Sequence, residues 1–347
     1  MALLLNMNSV ESATLVYVSN ADSQEISVLE LIPSSGTLRA VQTLAVGGLV
    51  MPLAVSPDKR FLYAAMRSEP YRVVSYAIDA STGRLRQLGE APLADNMANI
   101  DTDATGRWLF SASYAGSKIS VNTIGADGIV GVVHQTLPSL PKAHAIHSDA
   151  ANRFVVTASL GGDTLSVWQF DATQGLLAPH TPAHAGTGLH SGARHFAWDR
   201  RQKYLYVLNE LDASVVVFAW SSGLGTLREL QRISTLATEW DGRPSAADIH
   251  LSPDGKFLYT SERVTSAIAA FQIEQHSGLL TKLGHVATEK TPRSFGIDAE
   301  GKFLVVAGQH SNSVSVHPIG TATGLPGSPK RFAVGKNPSW VQILNLP

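Results

Sequence analysis

The octapeptide Ser56-Pro-Asp-Lys-Arg-Phe-Leu-Tyr63 returns almost verbatim as Ser252-Pro-Asp-Gly-Lys-Phe-Leu-Tyr259. Each copy joins a turn signal to a short aromatic and aliphatic run of strand-forming residues. Looser copies are Ala104-Thr-Gly-Arg-Trp-Leu-Phe110, Ala151-Asn-Arg-Phe-Val-Val156, Arg201-Gln-Lys-Tyr-Leu-Tyr206 and Glu300-Gly-Lys-Phe-Leu-Val305, with a headless seventh at Thr14-Leu-Val-Tyr17. The copies end at residues 17, 63, 110, 156, 206, 259 and 305. A recurrence of that length is the period of a propeller blade.

Four strand-like runs fill each period. The first precedes the turn, as in Ala247-Asp-Ile-His-Leu-Ser252, and forms a tight hairpin with the Phe-Leu-Tyr run that follows. The third mixes small and β-branched residues, as in Leu165-Ser-Val-Trp168 and Val215-Val-Val-Phe218. A glycine (Gly36, Gly83, Gly128, Gly175, Gly225, Gly278, Gly324) then leads into the fourth. No segment keeps a helical period. The chain opens on a second-type strand and closes on a first-type strand, Pro338-Ser-Trp-Val-Gln-Ile-Leu344, which predicts that the two ends pair in one blade. The expectation is an all-β, seven-bladed propeller of four-stranded antiparallel blades, with a tail at 1–13 and one domain over 14–347. Closure of the ring removes the free sheet edges of an open array.

Composition fits this reading and narrows function. Of 347 residues, 44% are hydrophobic and 16% charged, below the roughly 25% charge of a typical soluble domain. The net charge of −1 offers no basic excess for nucleic acid or a polybasic membrane face. With no cysteine, the chain has neither disulfides nor a catalytic thiol. Met1-Ala-Leu-Leu-Leu-Asn6 lacks the length and the positive flank of a signal peptide, so a soluble cytoplasmic protein is expected.

In a blade, the start of the inner strand lies beside the end of the second strand, and both open on one face. Counting twelve residues back from the end of each copy gives Met51, Ala98, His144, Arg194, Ala247 and Arg293, with Ser339 in the C-terminal strand. Counting four forward gives Ala21, Arg67, Tyr114, Leu160, Glu210, Arg263 and Gln309. Arginine in a mostly apolar inner strand is costly without an anion or a carboxylate. His144, Arg194, Glu210 and Arg293 therefore form either an anion pocket with a general base, or a blade-to-blade ion network built on Arg194 and Glu210. Asn209 precedes Glu210 at the same mouth, and Arg67, Arg263 and Gln309 complete the polar row.

Other candidates are secondary. Asp248 and His250 share a strand face and either orient a ligand or form a buried strut. His195, next to Arg194, is expected on the opposite side of its strand, in an inter-blade contact. His144 and His147 differ in face, which speaks against a zinc site, and no metal or other cofactor is expected. The His180–His190 stretch is taken as a mobile connection. In the insertion 237–244, Trp240 and Arg243 serve as a lid over the mouth or pack on its rim.

Several of these stretches together resemble a known family. They are Val55-Ser-Pro-Asp-Lys-Arg-Phe-Leu-Tyr63, Ala193-Arg-His195 with Asn209-Glu-Leu211, Ala246-Ala-Asp-Ile-His-Leu-Ser-Pro-Asp-Gly255, and Thr291-Pro-Arg-Ser-Phe295 with Ala307-Gly-Gln309. In order and spacing they resemble the bacterial propeller-type 6-phosphogluconolactonases, relatives of fungal carboxymuconate lactonising enzymes, over Val16 to Trp340. The resemblance implies hydrolysis of a phosphorylated sugar lactone, with the active-site set on His144, Arg194, Glu210 and Arg293. His144 is the favoured base, since Arg194 would hold Glu210 ionised. It implies a small anionic lactone as partner, and a monomer or weak homo-oligomer is expected. Two other functions are weighed: a muconate cycloisomerase using the same mouth, and a non-catalytic propeller that binds a protein.

Overall fold

A computed structural model describes residues 13–237 and 240–346. Among them, 28 strands form seven four-stranded antiparallel sheets, with one 3₁₀ turn at Leu160–Gly162. The chain is a seven-bladed propeller. We number the blades by the order in which the chain leaves them. Their inner strands are Pro338–Asn345 in blade 1, Val50–Val55, Met97–Thr102, Ala143–Ser148, Ala193–Trp198, Ala246–Leu251 and, in blade 7, Pro292–Ile297. Residues 1–12 of the expected tail lie outside the described residues.

Blade 1 is closed from both ends of the chain. Pro338–Asn345 pairs antiparallel with Thr14–Asn20, from Thr14 opposite Asn345 to Asn20 opposite Pro338. The remaining strands of that blade, Glu25–Ile32 and Thr37–Ala45, follow outward. The outward order of the other blades follows the chain, so tight hairpins connect neighbours and the outer strand of one blade leads back to the mouth of the next.

The apolar interior lies between blades. Seven clusters of buried side chains occupy the seven gaps. Leu15, Tyr17, Leu62 and Val74 fill the gap between blades 1 and 2, while Val16, Val18, Val305 and Val314 fill that between 7 and 1. Every middle strand thus buries both its faces. That is why Trp108–Ser113 and Phe154–Ser159 are buried throughout and show no alternation.

The glycine before each outer strand has a structural cause. All seven take a positive φ, between 63° and 79°. A Cβ on Gly175 would stand 2.4 Å from the Trp108 ring of blade 3, and one on Gly324 would stand 2.2 Å from Phe257 of blade 6. Equivalent approaches join Leu15 to Gly83, Phe61 to Gly128 and Phe303 to Gly36, so the same lock recurs around the ring. Tyrosine hydroxyls reinforce three locks, Tyr17, Tyr206 and Tyr259 donating to the carbonyls of Gly83, Gly278 and Gly324 at 2.8–3.0 Å.

The His180–His190 stretch is not a free connection. Leu176–Gly186 is the outer strand of blade 4, and its prolines are accommodated because its far edge has no partner strand and its pairing shifts between Ser166 and Trp168. His180 contacts the Leu224 carbonyl, His184 the Ser166 hydroxyl, and the His190 backbone donates to Asp163. Trp240 lines a small depression with Leu236, Glu262, Thr265 and His285, so it packs on the rim. Arg243 is exposed.

Gly175→Ala combines a strained φ with overpacking against Trp108, and should lower unfolding free energy by about 1–3 kcal/mol. Chemical denaturation of the purified variant checks this; an unshifted midpoint would deny the lock.

Candidate active site

The pairing of each inner strand slips at its second residue. Ala143 faces Ser159 and Ala145 faces Ala158, so His144 has no partner. Arg194 is skipped between Ala193 and His195, Arg293 between Pro292 and Ser294, Ala98 between Met97 and Asn99, and Ser339 between Pro338 and Trp340. In blades 2 and 6 the register shifts across Val50–Leu53 and Ala246–Ile249, the segments that hold Met51 and Ala247. A bulge adds one residue, bends the strand and re-aims a side chain. The row found by counting is the row of bulge residues, and the bulges turn their side chains to one mouth of the axial channel.

Four arginines and one glutamate dominate that mouth. Arg194 is only 1% exposed. Its Nε donates to Glu210 Oε2 at 2.9 Å, and Nη1 donates to the Ala247 carbonyl of the next blade. Glu210 Oε1 forms an ion pair with Arg263 Nη2 at 2.9 Å, and Arg263 Nε donates to the Ser245 carbonyl. Arg67 donates to Asn96 Oδ1 and approaches the Met51 sulfur at 3.3 Å. Arg293 is different. Among the described residues no carboxylate lies within ion-pair distance of its guanidinium, and Arg194, Arg263 and Arg67 bear on it. Burial, reinforced by those three cations, pulls its pKa well below the usual arginine value.

Burial alone would raise the Glu210 pKa, but Arg194, Arg263 and Arg293 outweigh it and hold the carboxyl ionised. Burial, with Arg263 adding to it, brings Arg194 down to about 10 although Glu210 and Asp248 oppose the shift. His144 is neutral: burial first, then Arg194, His195 and Arg293, pull it well below the ordinary histidine value. Its Nδ1 is buried without a partner, so Nε2 is the nitrogen available to a ligand. Tyr114 and His144 meet in a T-shaped contact at 5.9 Å, with Lys142 Nζ over the Tyr114 ring at 5.5 Å. Gln309 donates to Asn337 and Ser339 on the rim.

Two sequence expectations need correction. Asn209 does not face the mouth: its side-chain amide donates to Ser214 Oγ at 2.9 Å in its own blade and to the Thr187 carbonyl in the connection from blade 4. Strand alternation ends at the bulge, so His195 is not on the far side of Arg194, while the inter-blade contact expected of it is present, with Asp248 of blade 6 at 2.8 Å. It stands in the channel, 5.1 Å from the His144 ring and 5.8 Å from that of Trp340, which comes from blade 1 across the axis. Below the bulges, a cavity of about 350 Å³ is lined by Asp101, His147, His195, Asp248, His250 and Trp340. Asp248 and His250 meet there at 3.2 Å, and His147 pairs with Asp101 at 2.7 Å rather than with His144. Sequence reasoning missed Asn96 and Lys142; both lie in loops ahead of inner strands, where the repeat text gives no fixed register.

The chain is thus a closed propeller whose axial mouth gathers four arginines, one clamped carboxylate and the neutral imidazole of His144. The profile of the family described as "Lactonase, 7-bladed beta-propeller" matches residues 14–343, and the chain belongs to that family. It is 40% identical over 331 residues to 6-phosphogluconolactonase of Pectobacterium carotovorum, covering 95% of this chain and 98% of that protein. It is 39% identical over 330 residues to the Serratia proteamaculans 6-phosphogluconolactonase, with the same coverage of each chain. Among solved structures, the periplasmic gluconolactonase of Pseudomonas aeruginosa superposes with a TM-score of 0.90 at 26% identity, covering 97% of this chain and 99% of that one. No helix among the described residues is long and apolar enough to cross a membrane.

The histidine shifts have a sign that can be measured. Burial and Arg194 bring His195 to about 4, against which the Asp248 hydrogen bond works. The unfolded chain protonates such rings near pH 6.5 and the native protein does not, so their contribution to stability is complete above 6.5 and declines as pH falls towards 4. Imidazole ¹⁵N spectra should show His144 and His195 uncharged at pH 5.5; a charged His195 at that pH would contradict the geometry.

Proposed function

We propose that this chain hydrolyses 6-phospho-D-glucono-1,5-lactone to 6-phosphogluconate, the step of the pentose phosphate pathway carried by its curated relatives. The observation that carries the reading is Arg293, a half-buried guanidinium among three other arginines, which among the described residues forms no ion pair and feels Glu210 only at a distance. A cation without a direct ion pair is held ready for an anionic ligand, and a phosphate satisfies it by paired charge-assisted hydrogen bonds. Arg67, next on the rim, adds to the same potential.

The remaining groups divide the chemistry. His144 Nε2 takes a proton from water as the water oxygen bonds to the lactone carbonyl carbon. Arg194 is fixed by Glu210 and the Ala247 carbonyl and directs its remaining Nη2 at the developing oxyanion. Collapse of the intermediate breaks the ring C–O bond, and the proton on His144 passes to the departing ring oxygen. The product acid then ionises, releasing one proton per turnover. Glu210 is a poor base because two arginines stabilise its charge; it orients Arg194 and Arg263. A sugar phosphate substrate places the reaction in the cytoplasm.

The test is acid release from freshly made 6-phosphogluconolactone against a no-enzyme blank, with unphosphorylated gluconolactone in parallel. Loss of only the phosphorylated lactone supports the reading. Equal rates on both retain a lactonase and remove the phosphate from it; no acceleration on either overturns it. His144→Gln should cost roughly 10²–10⁴ in kcat. Arg293→Ala should lower kcat/KM for the phosphorylated lactone by about 10- to 100-fold, the worth of one or two charged hydrogen bonds. Unchanged turnover in Arg293→Ala would sink the anion site.

A further inference from the structure

His195 packs against His144 in the channel and is bonded in turn to Asp248, and none of the steps above uses either residue. Asp248 is buried and divides its oxygens. Oδ1 accepts from His195 Nδ1 at 2.8 Å; Oδ2 meets His250 Nε2 at 3.2 Å and accepts the backbone N–H of Phe295 at 3.2 Å. Burial would raise the Asp248 pKa, yet His250 and His195 outweigh it and keep the group a carboxylate. His195 Nδ1 therefore donates, which leaves Nε2 as the bare acceptor nitrogen. That Nε2 is buried without a partner, and so is Nδ1 of His144. Two imidazoles joined by one N–H···N bond have centroids about 5 Å apart, the bond of about 3 Å plus two ring radii. These two stand 5.1 Å apart, tilted by 61°, a separation that accommodates such a bond when the His144 ring turns and His195 keeps its bond to Asp248.

We propose that Asp248 and His195 are positioning residues for the base: His195, its tautomer set by Asp248, accepts the Nδ1–H of His144 and so directs the His144 Nε2 lone pair at the lactone. The inference rests on the reading of His144 as that base. It also answers an electrostatic difficulty. A proton arriving on His144 meets Arg194 and Arg293 as well as His195, with the Tyr114 ring packed against it. Glu210 cannot compensate, because Arg194 and Arg263 hold it. Among the described residues Asp248 is a carboxylate close by that is not paired to an arginine, and His195 is the bridge through which its charge reaches His144. Trp340 closes the free side of the His195 ring without adding charge.

The test uses the full-length protein, with Asp248→Asn and His195→Phe, each alone and combined with His144→Gln. His195→Phe keeps a ring against Trp340 and His144 but removes both nitrogens, so it serves where Asp248→Asn fails to fold. Each single variant should lower kcat about 10- to 100-fold with KM within twofold. The acid limb of kcat should move to lower pH, because His144 without the carboxylate is a weaker base. Combined with His144→Gln, neither variant should reduce kcat further, since groups that act as a unit are non-additive. Additive losses, or an unmoved acid limb, would reduce the pair to an inter-blade strut and overturn the proposal. A wild type that hydrolyses neither lactone would remove the base reading and the pair with it.

Discussion

The structure depends on the pairing of Pro338–Asn345 with Thr14–Asn20. A propeller has no central core; its apolar surface is buried only where one blade lies against the next. Both faces of the middle strands are apolar, so every gap must be filled or two strands are left open to water. Without the C-terminal strand, blade 1 loses its channel wall and the gaps on either side of it lose Val341 and Leu344. Closure is thus the condition for burying every cluster at once. It also fixes the channel radius, because seven glycine locks of the same kind set the angle between blades.

That rigidity permits the electrostatics of the mouth. Four arginines facing one glutamate would spread apart on a flexible surface. Here each is mounted on a strand end whose position the ring determines, and backbone carbonyls take up what Glu210 cannot: Ala247 of the next blade from Arg194 and Ser245 of its own blade from Arg263. The surplus positive charge is therefore a property of the scaffold, present before any ligand arrives. Such preorganised charge does not have to reorient as charge develops in a reaction.

Much of this was legible in the sequence because the repeat is textual. The distance from bulge to second strand is constant, so a count with no gaps found the row containing His144, Arg194 and Arg293, and a second count found Glu210. Where the reading failed, the cause is local geometry. His195 was assigned to the wrong side because alternation assumes an unbroken pleat, and the bulge breaks it one residue earlier. Asn209 is polar and ends a strand at the mouth, yet its amide is spent on Ser214 and Thr187; nothing in its neighbours reveals that inward turn. The His180–His190 stretch looked like a loop because outer strands are half exposed and lose the composition of a buried strand.

The bulges carry one further consequence. An ordinary strand residue is read twice, by its partner across the ladder and by the gap it helps to fill. A bulged residue escapes the first of these, and in this channel it also stands clear of the inter-blade clusters. Seven adjacent positions are thereby released from the grammar of the fold: Met51, Ala98, His144, Arg194, Ala247, Arg293 and Ser339 can be rewritten with little charge to strand register. The propeller behaves as a fixed frame holding a seven-letter combination, and new pocket chemistry is reachable by changing letters while the frame stays as it is.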